Sequence, residues 1–323
     1  MKYLVTGGAG FIGSHLVERL ISEGNSVVVL DDISTGETEN LNSVLNHSNL
    51  HLEKDSILNL PKLDALIQDT DRIFHLAATV GVFNIMQNTS NGIINNVIGT
   101  HNVLELARKY EKPVLLTSSS EIYGKNVKGP LTENSDRIIG SPQFLRWSYS
   151  DSKALDEALA LAFASEFKLE TRIVRLFNTS GPRQSPKFGM VLPRFVVSAL
   201  ANEKIEIYGS GEQTRCFVHV ADIIEGIMRT DSTPNSISRP INLGNPIEIS
   251  MLLLAKTVKK VTNSSSEIIF RDYKDIYGSQ FEDMEKRVPD ISLAKELLDW
   301  KPILDLDEII LDCANYWEKR LNL

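Results

Sequence analysis

The sequence predicts an α/β fold, a doubly wound parallel sheet joined to a smaller, mixed α/β lobe. Three observations carry this. Short β-branched apolar runs alternate with helical patterns through the first half of the chain, the mark of a parallel sheet covered on both faces. A glycine-rich turn joins the first apolar run to the first helical one. Beyond Gly181 the texture changes, and Pro182, Pro186, Pro193, Pro234, Pro240 and Pro246 break the chain into short pieces.

The elements follow in order. KYLVT (2–6) is a short strand running into GGAGFIG. SHLVERLISEG reads as an amphipathic helix, with Leu16, Leu20 and Ile21 at helical spacing and Gly24 as its stop. SVVVLDD (26–32) is apolar on both faces, as a buried parallel strand is. DRIFHLAA (71–78) predicts a strand, NVIGTHNVLELARKY (96–110) a helix and PVLLTSSS (113–120) a strand. SYSDSKALDEALALAFASEF (148–167) is a long helix and TRIVRLFN (171–178) a strand. Residues 1–178 are expected to form the first domain. Residues 179–323 form most of the second lobe, with a segment at about 215–245 returning to the first.

Of 323 residues, 42% are hydrophobic and 24% charged, which excludes a disordered, collagen-like or disulfide-stapled chain. A net charge of −8 argues against a nucleic-acid partner. No apolar run is long enough for a membrane span, and the N-terminus lacks a cleavable signal pattern. Cys216 and Cys313 have no metal or redox spacing, so no metal is expected and a reducing cytosol is the expected compartment.

Gly7, Gly10 and Gly13 form GxxGxxG between the first strand and helix. Glycines there permit a tight turn, close approach to a pyrophosphate and close packing of helix on strand. The helix N-terminus offers free N–H groups to phosphates. Asp31 ends the second strand, where a carboxylate binds adenosine ribose hydroxyls. Asp32 beside it repels a 2′-phosphate, which favours NAD over NADP. A plain turn and a solvated strand end are the bland readings of these residues, and their order along the chain tells against both.

Tyr149 and Lys153 stand at i, i+4 in YSDSK, on one helix face. A nearby ammonium is expected to favour the phenolate of Tyr149. The pair could then take a proton from a sugar hydroxyl as hydride leaves for nicotinamide. YxxxK alone fits an exposed helix pair equally well. Its position at the head of the long helix, after the strand ending in SSSE, gives the functional reading its weight. Ser118, Ser119 and Ser120 precede Glu121 at a strand's carboxyl end, where open α/β sheets bind ligands. A hydroxyl there could share a substrate proton, and the carboxylate could act as a base or order a water.

Several stretches together resemble the extended short-chain dehydrogenase/reductases that act as nucleotide-sugar epimerases, dehydratases and decarboxylases. They are VTGGAGFIGSHL (5–16), HLAA (75–78), NVIGT (96–100), SSSEIYG (118–124), YSDSK (149–153), RLFNTSGPR (175–183), IYGSGEQTRCFVHVAD (207–222), NLGNP (242–246) and KRVPDIS (286–292). The resemblance spans essentially the whole chain and implies a Rossmann-type sheet with a substrate-binding lobe. It implies proton and hydride chemistry at Tyr149, Lys153 and Ser119, with Ser120 and Glu121 adjacent. It implies an NAD site at Gly7, Gly10, Phe11, Ile12, Gly13, Asp31, Asp32, Asp55, Ser56, Leu76, Ala77, Ala78 and Asn96, with Tyr149 and Lys153. Asp55 is the expected adenine contact. Asn178, Arg183, Tyr208, Arg215 and Arg287 match residues that hold the sugar nucleotide. Arg183 and Arg215 would neutralise its diphosphate, and Tyr208 would stack on its base.

Such enzymes share oxidation at sugar C4, and the ketone then opens three exits: 4-epimerisation, 4,6-dehydration or decarboxylation. Three features favour decarboxylation of UDP-glucuronate. Glu121 in SSSEIYG is similar to the acid of UDP-glucuronate decarboxylases. QFLRWSY (143–149) resembles the RWxY stretch of related decarboxylases. The C-terminal part, including NLGNPIE (242–248) and KRVPDI (286–291), resembles UDP-xylose synthase. Arg287 matches an active-site arginine that could bind a glucuronate carboxylate or protonate an enediolate through water. TVGVFNIMQN (79–88) departs from the loop of those synthases, which leaves other acidic or amino sugars open. A 4-epimerase and a 4,6-dehydratase are the rival enzymes, and an NAD-binding scaffold or sensor is the non-enzyme alternative. The resemblance also implies a homodimer through helices 96–110 and 150–167, with LELA (104–107) and ALALAFA (158–164) as apolar area.

Overall fold

The computed structural model describes residues 1–278, 282 and 284–322. Its frame is a seven-stranded sheet in which every pairing is parallel. In chain order the strands are β1 (Lys2–Thr6), β2 (Ser26–Leu30), β3 (Leu50–Glu53), β4 (Arg72–His75), β5 (Val114–Ser119) and β6 (Thr171–Leu176), then Pro240–Leu243. Across the sheet they run Pro240–Leu243, β6, β5, β4, β1, β2, β3.

The alternation of side chains along a strand explains why these runs are apolar throughout. Leu4, Val28, Ile73, Leu116 and Ile173 share one core with Leu63, Val103, Leu104, Ala160 and Phe163. Those partners come from the helices Leu60–Gln68, Gly99–Lys109 and Ser148–Phe167. Val5, Val29, Phe74, Leu115, Val174 and Ile241 point to the other face. There they meet Leu16, Leu20, Ile223, Ile227 and Leu298 from α1 (Phe11–Ser22), Val220–Ser232 and Ser292–Leu298. A third core lies in the second lobe. It packs Phe195 and Val196 of Val191–Leu200 with Leu254 and Val258 of Met251–Val261, and with Ile309, Ile310 and Cys313 of Leu306–Leu321.

Several boundaries differ from the sequence reading. The strands expected over 26–32 and 71–78 end at Leu30 and His75, because the residues beyond them turn out along the ligand-binding edge. The helix expected from 96 is a wide turn over Ile94–Ile98 followed by Gly99–Lys109. β3 and the helix Leu60–Gln68 lie in a stretch whose sequence pattern marks neither. β3 is a four-residue edge strand with none of its residues buried. Leu60–Gln68 is announced only by its cap, where the Asn59 side chain accepts from the Lys62 amide and Pro61 sits in the first turn.

The turn from β1 to α1 is the tightest feature of the frame. A Cβ on Gly13 would lie 2.1 Å from the Gly7 carbonyl oxygen, and one on Gly7 would lie 2.7 Å from the Ala77 amide nitrogen. Gly24, just past α1, has φ +81°, but a Cβ there would meet nothing within 4 Å. The two glycines therefore answer differently to alanine. Gly13→Ala is expected to cost about 3 kcal/mol or more by forcing helix from strand. Gly24→Ala is expected to cost about 1–2 kcal/mol, through backbone strain alone. Urea denaturation of both variants checks this, and equal losses would contradict it.

Candidate active site

A cavity of about 450 Å³ runs along the carboxyl ends of the strands and between the two lobes. It opens where the chain, having laid β2 and β3 on one side of β1, returns to lay β4 on the other. Open parallel sheets bind ligands at such a reversal.

One end is built from main-chain amides and carboxylates. Gly10 precedes α1 with no side-chain cap, so the amides of the first turn have no intrahelical acceptor and border the cavity. Asp31 is 7% exposed. Its Oδ2 accepts from the Ala9 amide at 2.9 Å and its Oδ1 from the Ile33 amide at 2.8 Å. Burial pushes its carboxyl above the ordinary value, against the pull of those two amides. Asp32 is exposed at the cavity rim and accepts from the Ser34 amide and hydroxyl. Asp55 accepts from the Ser56 amide at 2.7 Å and from Asn59 Nδ2 at 2.8 Å, and Ser56 borders the cavity with it. Leu76, Ala77 and Ala78 line the opposite wall. The glycines that let the β1–α1 turn close so tightly, the helix N-terminus and Asp31 at the end of β2 fit a dinucleotide.

One expected contact falls elsewhere. Asn96 is 2% exposed and does not border the cavity. Its Oδ1 accepts from the Thr79 amide at 2.7 Å and its Nδ2 donates to Ser152 Oγ at 3.2 Å. It therefore holds the cavity wall to the long helix from behind. Arg183, expected on the sugar nucleotide, borders the cavity beside α1. Its guanidinium donates to Glu18 at 2.6 Å and to Ser14 Oγ at 3.2 Å.

The centre of the cavity gathers the reacting candidates. Ser119 ends β5, and its Oγ accepts from the Glu121 amide at 3.2 Å. Tyr149 is half-buried and borders the cavity beside Ser119. Lys153 is 2% exposed, and its ammonium donates to the Thr117 carbonyl at 3.1 Å and to Asp156 Oδ2 at 3.2 Å. Ser120 is 2% exposed at the cavity edge. The expectation that Lys153 lowers the Tyr149 pKa is not met in this arrangement. Burial and then the Glu121 carboxylate push the phenol well above its ordinary value, while the Ser119 side chain and the Arg287 charge act the other way. The two bonds of the ammonium go to Thr117 and Asp156.

Glu121 is not a free base. Its Oε2 accepts from Arg146 Nη1 at 2.7 Å and its Oε1 from Arg287 Nη1 at 2.5 Å. Burial alone would raise its pKa, but the two guanidiniums outweigh burial and hold the carboxyl well below the usual range. Arg287 is 6% exposed and also donates to Asn178 Oδ1 at 3.0 Å, while Asn178 Nδ2 donates to the Cys216 carbonyl. The reacting centre thus holds a fixed ionised carboxylate between two cations, beside a phenol and a hydroxyl.

The far end is aromatic and cationic. Arg194 lies over the Tyr208 ring at 4.0 Å, and Tyr277 meets Tyr208 edge-on. Gln213 Nε2 donates to the Tyr208 carbonyl and to the Tyr273 hydroxyl. Arg215 borders the same end, its Nη1 on the Thr214 carbonyl. Planar rings and guanidiniums together suit a nucleotide base and its phosphates.

Sequence reasoning missed Arg146, Arg194 and Asp156 as site residues. Arg146 stood in the RWxY stretch, three residues before Tyr149, but only the fold brings it to Glu121. Asp156 sits at i+3 from Lys153, a helix spacing open to reading. Arg194 carries no sequence signal. Among the described residues, no group of three or more His, Cys, Asp or Glu is placed to hold a metal ion.

Comparison with known proteins agrees with this geometry. The sequence matches the family described as GDP-mannose 4,6 dehydratase over residues 4–313. It is 37% identical over 320 residues to UDP-N-acetyl-alpha-D-glucosaminuronate decarboxylase of Bacillus cytotoxicus, covering 98% of each chain. It is 35% identical over 320 residues to UDP-glucuronic acid decarboxylase 1 of Xenopus tropicalis, covering 99% of this chain and 73% of that one. The crystal structure of UDP-glucuronic acid 4-epimerase from Bacillus cereus, in complex with UDP-glucuronic acid and NAD, superposes with a TM-score of 0.90 at 29% identity. The match covers 99% of this chain and 100% of that one.

The clamp on Glu121 generates a stability prediction. Glu121→Gln leaves two buried guanidiniums without their anion and is expected to cost about 3 kcal/mol. A carboxyl whose folded pKa lies below its unfolded one stabilises fully above the unfolded value, about 4.3. That stabilisation fades as pH falls through the folded value. The stability gap between wild type and Glu121→Gln should therefore be level from about pH 8 to pH 5 and shrink below about pH 4. Urea denaturation across that range tests it, and a gap already falling at pH 6 would contradict the clamp.

Proposed function

We propose that this chain, which belongs to the GDP-mannose 4,6 dehydratase family of nucleotide-sugar enzymes, is an NAD-dependent decarboxylase of a UDP-linked uronate. The observation that carries the reading is the Arg146–Glu121–Arg287 cluster set against Tyr149 and Ser119. UDP-glucuronate is the first substrate, and the similarity to a UDP-N-acetylglucosaminuronate decarboxylase makes the N-acetylated uronate the second.

Asp31, the α1 amides and Leu76–Ala78 would hold NAD, and Asp32 would disfavour a 2′-phosphate. NAD supplies an acceptor, and later a donor, of two electrons at sugar C4. Tyr149 would take the proton of the C4 hydroxyl as its phenolate, a form that the positive charge of bound NAD and of Lys153 would favour over the neutral resting phenol, with Ser119 orienting that hydroxyl. The sugar ketone, β to the carboxylate, then accepts the electron pair left as carbon dioxide departs. Arg287 and Arg146 lie beside this centre as fixed cations that stabilise negative charge developing on the sugar. Glu121 keeps both guanidiniums in place and can order the proton source for C5, but it does not act as a free base. Arg194, Arg215 and Tyr208 would hold the nucleotide.

We also propose that the chain works as a homodimer in a reducing cytosol. Leu104, Ala107, Ala160 and Phe163, expected as dimer area, face the sheet instead. The outward apolar residues of that side are Ile94, Ile98, Leu155 and Phe167, each 47–49% exposed. Cys216 and Cys313 are buried, unpaired thiols, as such a compartment allows.

The test incubates pure protein with UDP-glucuronate and catalytic NAD and follows the nucleotide sugars by mass spectrometry. A product lighter by carbon dioxide is expected. Tyr149→Phe should lower kcat by about 10²–10⁴-fold. A product of unchanged mass and new retention would mean 4-epimerisation, and loss of water would mean dehydration. Sedimentation of Leu155→Glu and Phe167→Glu against wild type tests the dimer.

A further inference from the structure

Beneath Tyr149 the structure buries an ion pair that the reaction as described does not use. Lys153 and Asp156 lie one turn apart on the helix Ser148–Phe167. Asp156 is 0% exposed and Lys153 2%. An ammonium has three N–H groups. One donates to Thr117 O and one to Asp156 Oδ2, which leaves the third for the cavity that Lys153 borders.

The surroundings single out Asp156 as the anion that acts here. On the same helix, Glu157 is bound by Arg175 of β6. Glu121, after β5, is bound by Arg146 and Arg287. Thr100, on the neighbouring helix, faces the Asp156 carboxylate and bonds His75 of β4, and His75 bonds Thr6 of β1. Burial and the Lys153 charge push His75 down to about 3, so it is neutral. His101 meets the long helix edge-on at Phe163, well away from the cavity end. No other carboxylate bonds Lys153 among the described residues.

We propose that Asp156 is a positioning residue for the Tyr149–Lys153 pair. Its buried carboxylate fixes the lysine by one N–H and keeps the tyrosine protonated in the resting enzyme. The physical reason is charge: a buried anion one helix turn beyond Lys153 opposes the formation of a second negative charge on the nearby phenol.

This inference rests on Tyr149 as the proton carrier proposed above, but its test needs no substrate. Tyrosinate absorbance near 295 nm is recorded for wild type and Asp156→Asn, each against its own Tyr149→Phe counterpart. The difference isolates Tyr149. Asparagine keeps the shape and can still accept from Lys153, so a packing role would leave the titration unmoved. At a fixed pH of about 10, the ratio of ionised to neutral Tyr149 is expected to rise about tenfold in Asp156→Asn, as when a titration midpoint falls by one pH unit. Asp156→Glu, which keeps the charge, should titrate with wild type. Should Asp156→Asn not fold, Asp156→Ser is expected to move the titration in the same direction. In turnover, the acid limb of the kcat profile should move down by about one pH unit in Asp156→Asn. Identical titrations of wild type and Asp156→Asn would overturn the inference even in an active decarboxylase. A displaced titration in a protein that turns over no UDP-uronate would support it and reject the decarboxylase reading alone.

Discussion

The ion pair between Arg175 and Glu157 underlies the whole arrangement. Arg175 comes from β6 and Glu157 from the helix that carries Tyr149 and Lys153, and their contact is bidentate, with bonds of 2.7–3.2 Å. Arg175 also donates to the Tyr123 hydroxyl at 2.8 Å, and Tyr123 donates to Asn242 Oδ1 at 2.8 Å. One guanidinium thus ties together the long helix, the turn after β5, β6 and the seventh strand. Burial opposes its charge, and Glu157 more than restores it. Breaking one side of such a pair typically costs about 3–5 kcal/mol. The pair also ties the helix that carries Tyr149 and Lys153 to β6.

The cavity has two halves with opposite chemistry. The half over β1 is lined by backbone amides and accepting carboxylates, and glycines let its turn close tightly. The half toward the second lobe uses guanidiniums and phenol rings. Between them lies a carboxylate that is ionised because two arginines hold it. Glu121 stands beside Tyr149, so the charges that define the sugar end also set the resting state of the phenol.

The frame and the dinucleotide half were legible in the sequence because their signals are local. Gly7, Gly10 and Gly13 act within one turn, Asp31 acts at the end of the next strand, and apolar strands covered on both faces show as unbroken runs. Tyr149 and Lys153 were legible for the same reason, one helix turn apart. The roles of Glu121, Arg183 and Asn96 were not. Glu121 meets Arg287 across 166 positions and Arg183 meets Glu18 across 165, and no pattern in either segment states the pairing. A motif can show that a carboxylate stands near a reacting group. Whether that carboxylate is free or clamped depends on which cations the fold brings to it. The apolar residues of helices 99–109 and 148–167 misled for a related reason, since periodicity shows that a helix has a buried face but not which neighbour buries it.

The order of strands has a consequence for how the chain acquires its structure. It leaves the sheet at Leu176, lays the helix Val191–Leu200 in the second lobe and the helix Val220–Ser232 on a face of the sheet, and returns at Pro240–Leu243 to pair with β6. Ile241 meets Val174 only after 66 intervening residues, part of them in the other lobe. Closing so long a loop precedes any reward from the pairing, which makes this edge of the sheet slow to form. A fragment ending at residue 178 would leave β6 an open edge and Tyr123 without Asn242, and open edges invite pairing between chains. The two lobes are therefore distinct in chemistry but interlocked in topology, and neither can be excised as a module.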